Sequence, residues 1–321
     1  MKRAAAALLL LAAAAAQAAS TGSTGNAGSN HGSLGSPGLC EQSGRLTAAQ
    51  QDGRLRLAAV LRQELEDSGA PAVLIARSGV DLSRFSQRYS HAGISLRNSP
   101  NTPWSVRQLY YACDEGRPRI FDQGLAGFVL AADEAPTAHV WVLLLPAAQA
   151  ATLQAAALDK VLSLQLLADT YSANAYPFST RYQNCNQWVA ELLAAAWGGL
   201  GRGIQRAQAQ AWLLAQGYAP HRFELESPLW IWLAHWVPLL HDDDHPEQDL
   251  DQSLFRVSMP ASIEDFVQQQ VPGVQRLELC QDERHIVLRL GWRPLGAGCE
   301  ADAGDRRIPL VPSAASALRS P

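Results

Sequence analysis

A histidine inside a strand-like run, Tyr89-Ser90-His91-Ala92-Gly93-Ile94, precedes by a long stretch of chain a cysteine that opens a helix-like run, Asn184-Cys185-Asn186-Gln187-Trp188. A thiol is a useful nucleophile only as thiolate, and an imidazole neighbour and a helix N-terminus are the two commonest ways a fold lowers its pKa. The chemistry expected is that of a cysteine hydrolase.

Compartment decides how the other cysteines are read. Met1-Lys2-Arg3 is a short basic stretch, Ala4 to Ala16 is an apolar run of Ala and Leu, and Ala16-Gln17-Ala18 has the small-x-small form of a signal-peptidase site. Residues 1–19 read as a signal peptide and the protein as exported, periplasmic or secreted. The apolar run is short for a membrane span, and no cysteine follows it directly as in a lipoprotein. Residues 20–45, rich in Gly, Ser and Asn, read as a flexible linker. The formal charge of −4 becomes −6 once Lys2 and Arg3 leave with the signal, which argues against a nucleic-acid partner held by phosphate neutralisation. A peptide or small-molecule substrate in the cell envelope is expected instead, with no cofactor and no metal.

The five cysteines are Cys40, Cys113, Cys185, Cys280 and Cys299. An oxidising compartment permits disulfides, and an odd count leaves at least one thiol outside them in a monomer. Cys280 and Cys299 flank the strand-like stretch His285 to Leu290 and form the expected pair. Cys40 with Cys113 is a second option, and Cys185 is the thiol expected to stay reduced.

Local patterns set the elements. Thr47-Ala48-Ala49-Gln50 has the form of a capping box, opening a helix to about Ser68. Ala72 to Ala76 is an apolar run of strand length; the His91 strand, Ser105 to Ala112, Arg119 to Asp122 and Ala138 to Leu145 follow as neighbouring antiparallel strands. Ala147 to Thr170 reads as helix in two pieces, and Trp188, Val189, Leu192, Leu193 and Ala196 recur at helical spacing until Gly198-Gly199. Pro260 opens a short helix. Residues 268–300 read as a small two-stranded appendage stapled by Cys280 and Cys299, and 301–321 as a disordered tail.

Several of these stretches carry a resemblance. Arg77-Ser78-Gly79 with Asp81-Leu82-Ser83, Tyr89 to Gly93, Trp104 to Leu109, Asp122-Gln123-Gly124-Leu125, Tyr182-Gln183-Asn184-Cys185 and His241 to Pro246 together resemble a bacterial family catalogued as domain of unknown function 2145, over residues 46–267. More distantly, a strand histidine before a helix cysteine resembles the circularly permuted branch of the NlpC-type papain-like hydrolases. That resemblance implies an α+β fold with a papain-like core: an antiparallel sheet and a helix bearing Cys185 as nucleophile, with His91 as base. For the third member, period-2 alternation puts Gln108 on a face with Val106 and Tyr110, on the strand after the His91 strand. A neutral amide orients an imidazole but stabilises imidazolium less than an anion does. Asp122 and Asn184 are the alternatives.

Each residue has a plainer reading. Cys185 fits as core filler and His91 as a satisfied core histidine, with Gly93 beside it allowing close strand approach. Trp188 reads as core. Arg77, Ser78, Asp81 and Ser83 suit a substrate rim or a hydrogen-bonded loop. His241-Asp242-Asp243-Asp244-His245 has metal-ligand residue types, but a charge run before Pro246 reads as a solvated turn. Leu229 to Leu240, with three tryptophans, is too short to span a bilayer and reads as a buried helix or a flap; membrane contact is its weaker reading. The combined expectation is an exported thiol hydrolase or acyltransferase acting on an amide or ester, such as a cell-wall peptide. Its rival is a binding or envelope-assembly module that keeps the shape without the chemistry. The oligomeric state has no signal in the sequence.

Overall fold

The computed structural model describes residues 46–131, 136–225, 237 and 239–310. Residues 1–45, which include the expected signal peptide, the expected linker and Cys40, together with most of the Leu229 to Leu240 run and residues 311–321, lie outside the described residues.

The first helix, α1 (Ala48–Asp67), starts where its sequence says. Gln50 N donates to Thr47 Oγ1 (3.2 Å) and Thr47 N to Gln50 Oε1 (2.8 Å), satisfying two of the N–H groups a helix start leaves over. Leu57, Leu61 and Leu65, four apart on one face, are fully buried. The strands β1 (Ala72–Arg77), β2 (His91–Leu96), β3 (Ser105–Ala112), β4 (Arg117–Gln123) and β5 (Ala138–Leu144) form the antiparallel set the alternation predicts. A short helix α2 (Leu125–Leu130) follows β4. After β5 come α3 (Ala147–Leu158) and α4 (Lys160–Gln165), the two expected pieces, then α5 (Cys185–Trp197) and α6 (Arg206–Ala215). A separate ribbon pairs β6 (His221–Glu224) with β7 (Leu254–Val257), flanking α7 (Glu247–Asp251), and α8 (Pro260–Gln270) leads into β8 (Gln275–Gln281), β9 (His285–Leu290) and β10 (Arg306–Pro309).

The sheet order is β10-β9-β8-β5-β1-β2-β3-β4, so eight strands form one mixed-in-sequence but antiparallel layer. This corrects the expected C-terminal appendage. β8 pairs along its whole length with β5, His139 opposite Cys280, so residues 275–309 complete the main sheet. The expected disordered tail is corrected in part too, because Arg306–Pro309 pairs with β9 despite its polar composition. The Cys280–Cys299 disulfide is present.

Helices cover both faces. Val73, Ile75, Val106 and Val142 face α1 and α2, while Ala72, Leu74, Ala92, Ile94 and Leu109 face α3, α5 and α8. Strand β1 is therefore buried on both sides, which explains a continuous apolar run where alternation would be expected of a solvated strand. Helix α5 is enclosed from Cys185 to Ala195. Each Trp or Leu it buries contributes on the order of 1.5–3 kcal/mol; Trp188, with its Nε1 donating to Ser163 O (3.2 Å), is the core residue its spacing predicted. Among the described residues no helix is long and apolar enough to cross a membrane.

Candidate functional site

The β2–β3 ladder is paired only over Ile94–Leu96 with Ser105–Arg107. Toward His91 the strand's backbone groups need other partners, and the start of α5 provides them. Asn186 Oδ1 accepts from Ala92 N (3.0 Å) and its Nδ2 donates to Ser90 O (3.1 Å), one residue to either side of His91. The same Nδ2 reaches Ser258 O (3.2 Å), which Asn184 Nδ2 also reaches (3.3 Å). Asn184 is the N-cap, its Oδ1 accepting from Gln187 N (2.7 Å). Two asparagines thus fix the helix start that carries Cys185 against the strand that carries His91.

His91 is fully enclosed and held by amides. Its Nε2 hydrogen-bonds Gln108 Oε1, and Gln108 Nε2 donates to Gln123 Oε1 (2.7 Å). The second bond orients the first: with its NH₂ committed to Gln123, Gln108 presents oxygen to the imidazole, so the proton sits on His91 Nε2. Nδ1 is then a bare lone pair, and it has no hydrogen-bond partner among the described residues. Burial, then the nearby Arg77 guanidinium, push the His91 pKa down to about 3 against the opposing Gln108 bond. The imidazole is neutral at any ordinary pH. Gly93 makes this packing feasible, since a Cβ there would lie 2.6 Å from Val106 Cγ1 and 3.0 Å from Arg107 O.

Cys185 is a buried thiol outside any disulfide. It sits in the cluster with Ala92, Ile94 and Trp188, whereas the His91 ring lies toward α2, 6.1 Å from the Phe128 ring. The fold therefore joins His91 to Gln108 directly and joins the Cys185 helix to the His91 strand through Asn186, but the thiol packs with Ala92 and Ile94 on one face of β2 while the imidazole points to the other face, toward Phe128.

Gln108 occupies the place beside His91. Of the two alternatives, Asp122 is engaged by Arg107 (Nε to Oδ1 and Nη2 to Oδ2, both 2.6 Å) and Asn184 is the cap. Sequence patterns assign no role to Gln123 or Asn186. Gln123 becomes visible only through register, since it lies opposite Val106, two residues along the same face from Gln108.

The loop leading into α5 is fixed from below. Glu191, on the second turn of α5, accepts from Arg206 Nε (2.9 Å) and Nη2 (3.0 Å), Gln183 Nε2 (2.6 Å), Gln187 Nε2 (3.2 Å) and Gln210 Nε2 (2.8 Å). Arg206 donates onward to Thr180 O (2.6 Å) and Tyr182 O (2.9 Å). The run from His241 makes the expected turn at Asp243-Asp244, with Asp243 exposed, but the rest of it is packed. Its charges cap this same loop: Asp244 Oδ2 accepts from Tyr176 N (2.9 Å), His245 Nε2 donates to Asn174 O (2.8 Å), and the His241 ring stacks on Tyr182 at 4.2 Å. Burial raises the Asp244 pKa to about 6.

The rim residues divide. Arg77 is buried with its guanidinium 5.4 Å from the Phe128 ring, and Asp81 Oδ1 accepts from Ser83 N (2.9 Å) as a local turn. Ser78, Asp81, Ser83, Arg88 and His139 line a cavity of about 340 Å³. It opens at the His91 end of the sheet, because Arg77 pairs with both His91 and Val140.

A family model described as an uncharacterized protein conserved in bacteria, DUF2145, matches residues 64–267. No curated protein and no solved structure matches the chain.

Proposed function

The chain belongs to this bacterial family, DUF2145, and we propose that it is an exported, papain-like cysteine hydrolase or acyltransferase acting on an amide or ester, with a cell-wall peptide as the nearest substrate class. The observation that carries the reading is the Gln123–Gln108–His91 chain, which fixes the imidazole as the tautomer with a bare Nδ1 at the point where Asn186 docks the Cys185 helix. In the acting state of this proposal the imidazole is brought round to the thiol at this end of β2, where no β2–β3 pairing extends past Ile94 toward His91.

In this mechanism His91 Nδ1 takes the proton from Cys185 Sγ, and the thiolate attacks the substrate carbonyl carbon. Backbone N–H groups at the start of α5, with the helix dipole behind them, receive the developing oxyanion. His91 then returns its proton to the leaving amine or alcohol. Water, or an acceptor nucleophile, gives up a proton to Nδ1 and attacks the thioester, releasing the acyl product and restoring the thiol. Gln108 supplies orientation without charge, so the pair rests as neutral thiol and neutral imidazole.

Thiol labelling tests this. At pH 6.5–7.5 iodoacetamide is expected to alkylate Cys185 at least about tenfold faster in the native protein than in His91→Ala, the scale of one general-base contribution being about 10²–10⁴ in catalysis. Equal rates in the two proteins, with the same fold by circular dichroism, would leave a binding or envelope-assembly module.

A further inference from the structure

His139, Cys280 and Cys299 are the only group of three metal-type side chains found together among the described residues, with one ligand atom from each within 4.8 Å of the others. We propose that reduction of the Cys280–Cys299 disulfide by an external dithiol converts this corner of the sheet into a site for a thiophilic divalent cation of the zinc class.

Two of the three ligands are placed by the ladder. His139 and Cys280 stand directly opposite each other on β5 and β8, and His139 Nε2 is 3.3 Å from Cys280 Sγ. Zinc–sulfur and zinc–nitrogen bonds of about 2.3 and 2.0–2.1 Å at a tetrahedral angle put N and S about 3.5 Å apart, so this pair already has ligand spacing. Cys299 comes from the loop after β9, at a left-handed backbone position with φ 60°. On reduction its sulfur moves off Cys280 by the distance a shared cation needs.

The histidine has a carboxylate behind it. Its Nδ1 is buried without a hydrogen-bond partner among the described residues and lies 4.0 Å from Glu278 Oε1. Nε2 donates to Ala297 O (3.4 Å) in this structure, so cation binding moves the ring proton to Nδ1, facing that carboxylate, and frees the Nε2 lone pair on the sulfur side, the arrangement by which a carboxylate orients a metal-binding histidine. His139 also lines the 340 Å³ cavity, with Ala297 beside it, so a cation has a route in and a water or the Ala297 carbonyl can complete the set.

The step balances. The dithiol gives two electrons and two protons to Cys280 and Cys299 and becomes its own disulfide; the cation then displaces both protons to solvent and is held by two thiolates and one neutral imidazole. While the disulfide stands, both sulfurs are occupied and the site is closed, which makes cation capture a readout of reducing conditions.

The test uses the full chain carrying Cys40→Ser, Cys113→Ser and Cys185→Ser, so that the other thiols, including that of disulfide-bonded Cys113, do not contribute. After reduction and removal of the dithiol, Co²⁺ titration is expected to give a thiolate-to-cobalt charge-transfer band saturating at one equivalent, absent from the oxidised protein and released by Zn²⁺. His139→Ala should weaken the affinity at least about tenfold, and Cys280→Ser with Cys299→Ser should abolish the band. Binding that is unchanged in His139→Ala, binding by the oxidised chain, or loss of the far-UV circular dichroism on reduction would each overturn the proposal.

Discussion

Replacing Arg206 with alanine is expected to lower the unfolding free energy by about 3–5 kcal/mol, the cost of stranding a buried carboxylate. Glu191 is fully enclosed, and burial pushes its pKa above the ordinary carboxylate range even with Arg206 beside it. Three glutamine amides share that carboxylate, but only Arg206 brings compensating charge. Arg206 also satisfies Thr180 O and Tyr182 O, so its loss loosens the loop that delivers Cys185. Adding Glu191→Gln removes the stranded charge. The double variant should therefore be more stable than the sum of the single losses implies, by about 0.5–3 kcal/mol. Urea unfolding of the four proteins gives the numbers. A loss below about 1 kcal/mol for Arg206→Ala would mean that water reaches Glu191.

Acid is expected to destabilise the protein well before its carboxylates titrate as a class. His91 and His139 have folded pKa values lowered to about 3 and about 4, against an ordinary 6.5. Below pH 6.5 the unfolded chain takes up these protons and the native state does not. Their contribution is thus complete above pH 6.5 and falls by about 1.4 kcal/mol per pH unit for each histidine, until the pH passes the folded values. Asp244 runs the other way. With its pKa raised to about 6, it gains a proton in the native state first, and its stabilisation grows as pH falls from about 6 to about 4. It offsets roughly one histidine, leaving a net loss of about 3 kcal/mol between pH 6 and 4 from these three groups. His91→Gln isolates one contribution: its stability should change less steeply with pH than the native protein's by about one proton. An unchanged slope would mean that His91 is protonated in the native state.

Much of this architecture was legible because it is local. Thr47 and Gln50 announce a cap, Pro103 and Gly116 with Pro118 bracket β3 and the start of β4, and Gln108 shares a face with Val106 by simple alternation. What the sequence hid is long-range. The pairing of His139 with Cys280 joins residues far apart in the chain, and nothing in Gln275–Leu290 distinguishes a central-sheet strand from an isolated hairpin. Arg306–Pro309 looks unstructured by composition, and only its backbone bonds to β9 make it a strand. The His241 run misled for a related reason: acidic residues signal solvent on average, yet here Asp244 and His245 are spent on backbone groups of Asn174 and Tyr176. At the site, the ordered pair of His91 and Cys185 was visible, but the parts that set its chemistry were not. Gln123 acts through register, and Asn186 acts because the β2–β3 ladder stops at Ile94.

The central claim is that two amides hold His91 as a neutral base with its lone pair on Nδ1. Nitrogen-15 NMR of protein labelled at histidine reads this directly, with His91→Gln identifying the resonance. At pH 7 the account predicts a pyridine-type signal for Nδ1 and a pyrrole-type signal for Nε2, lost as a single tautomer when Gln108 becomes Ala. A proton on Nδ1, or an imidazolium spectrum at pH 7, would contradict it.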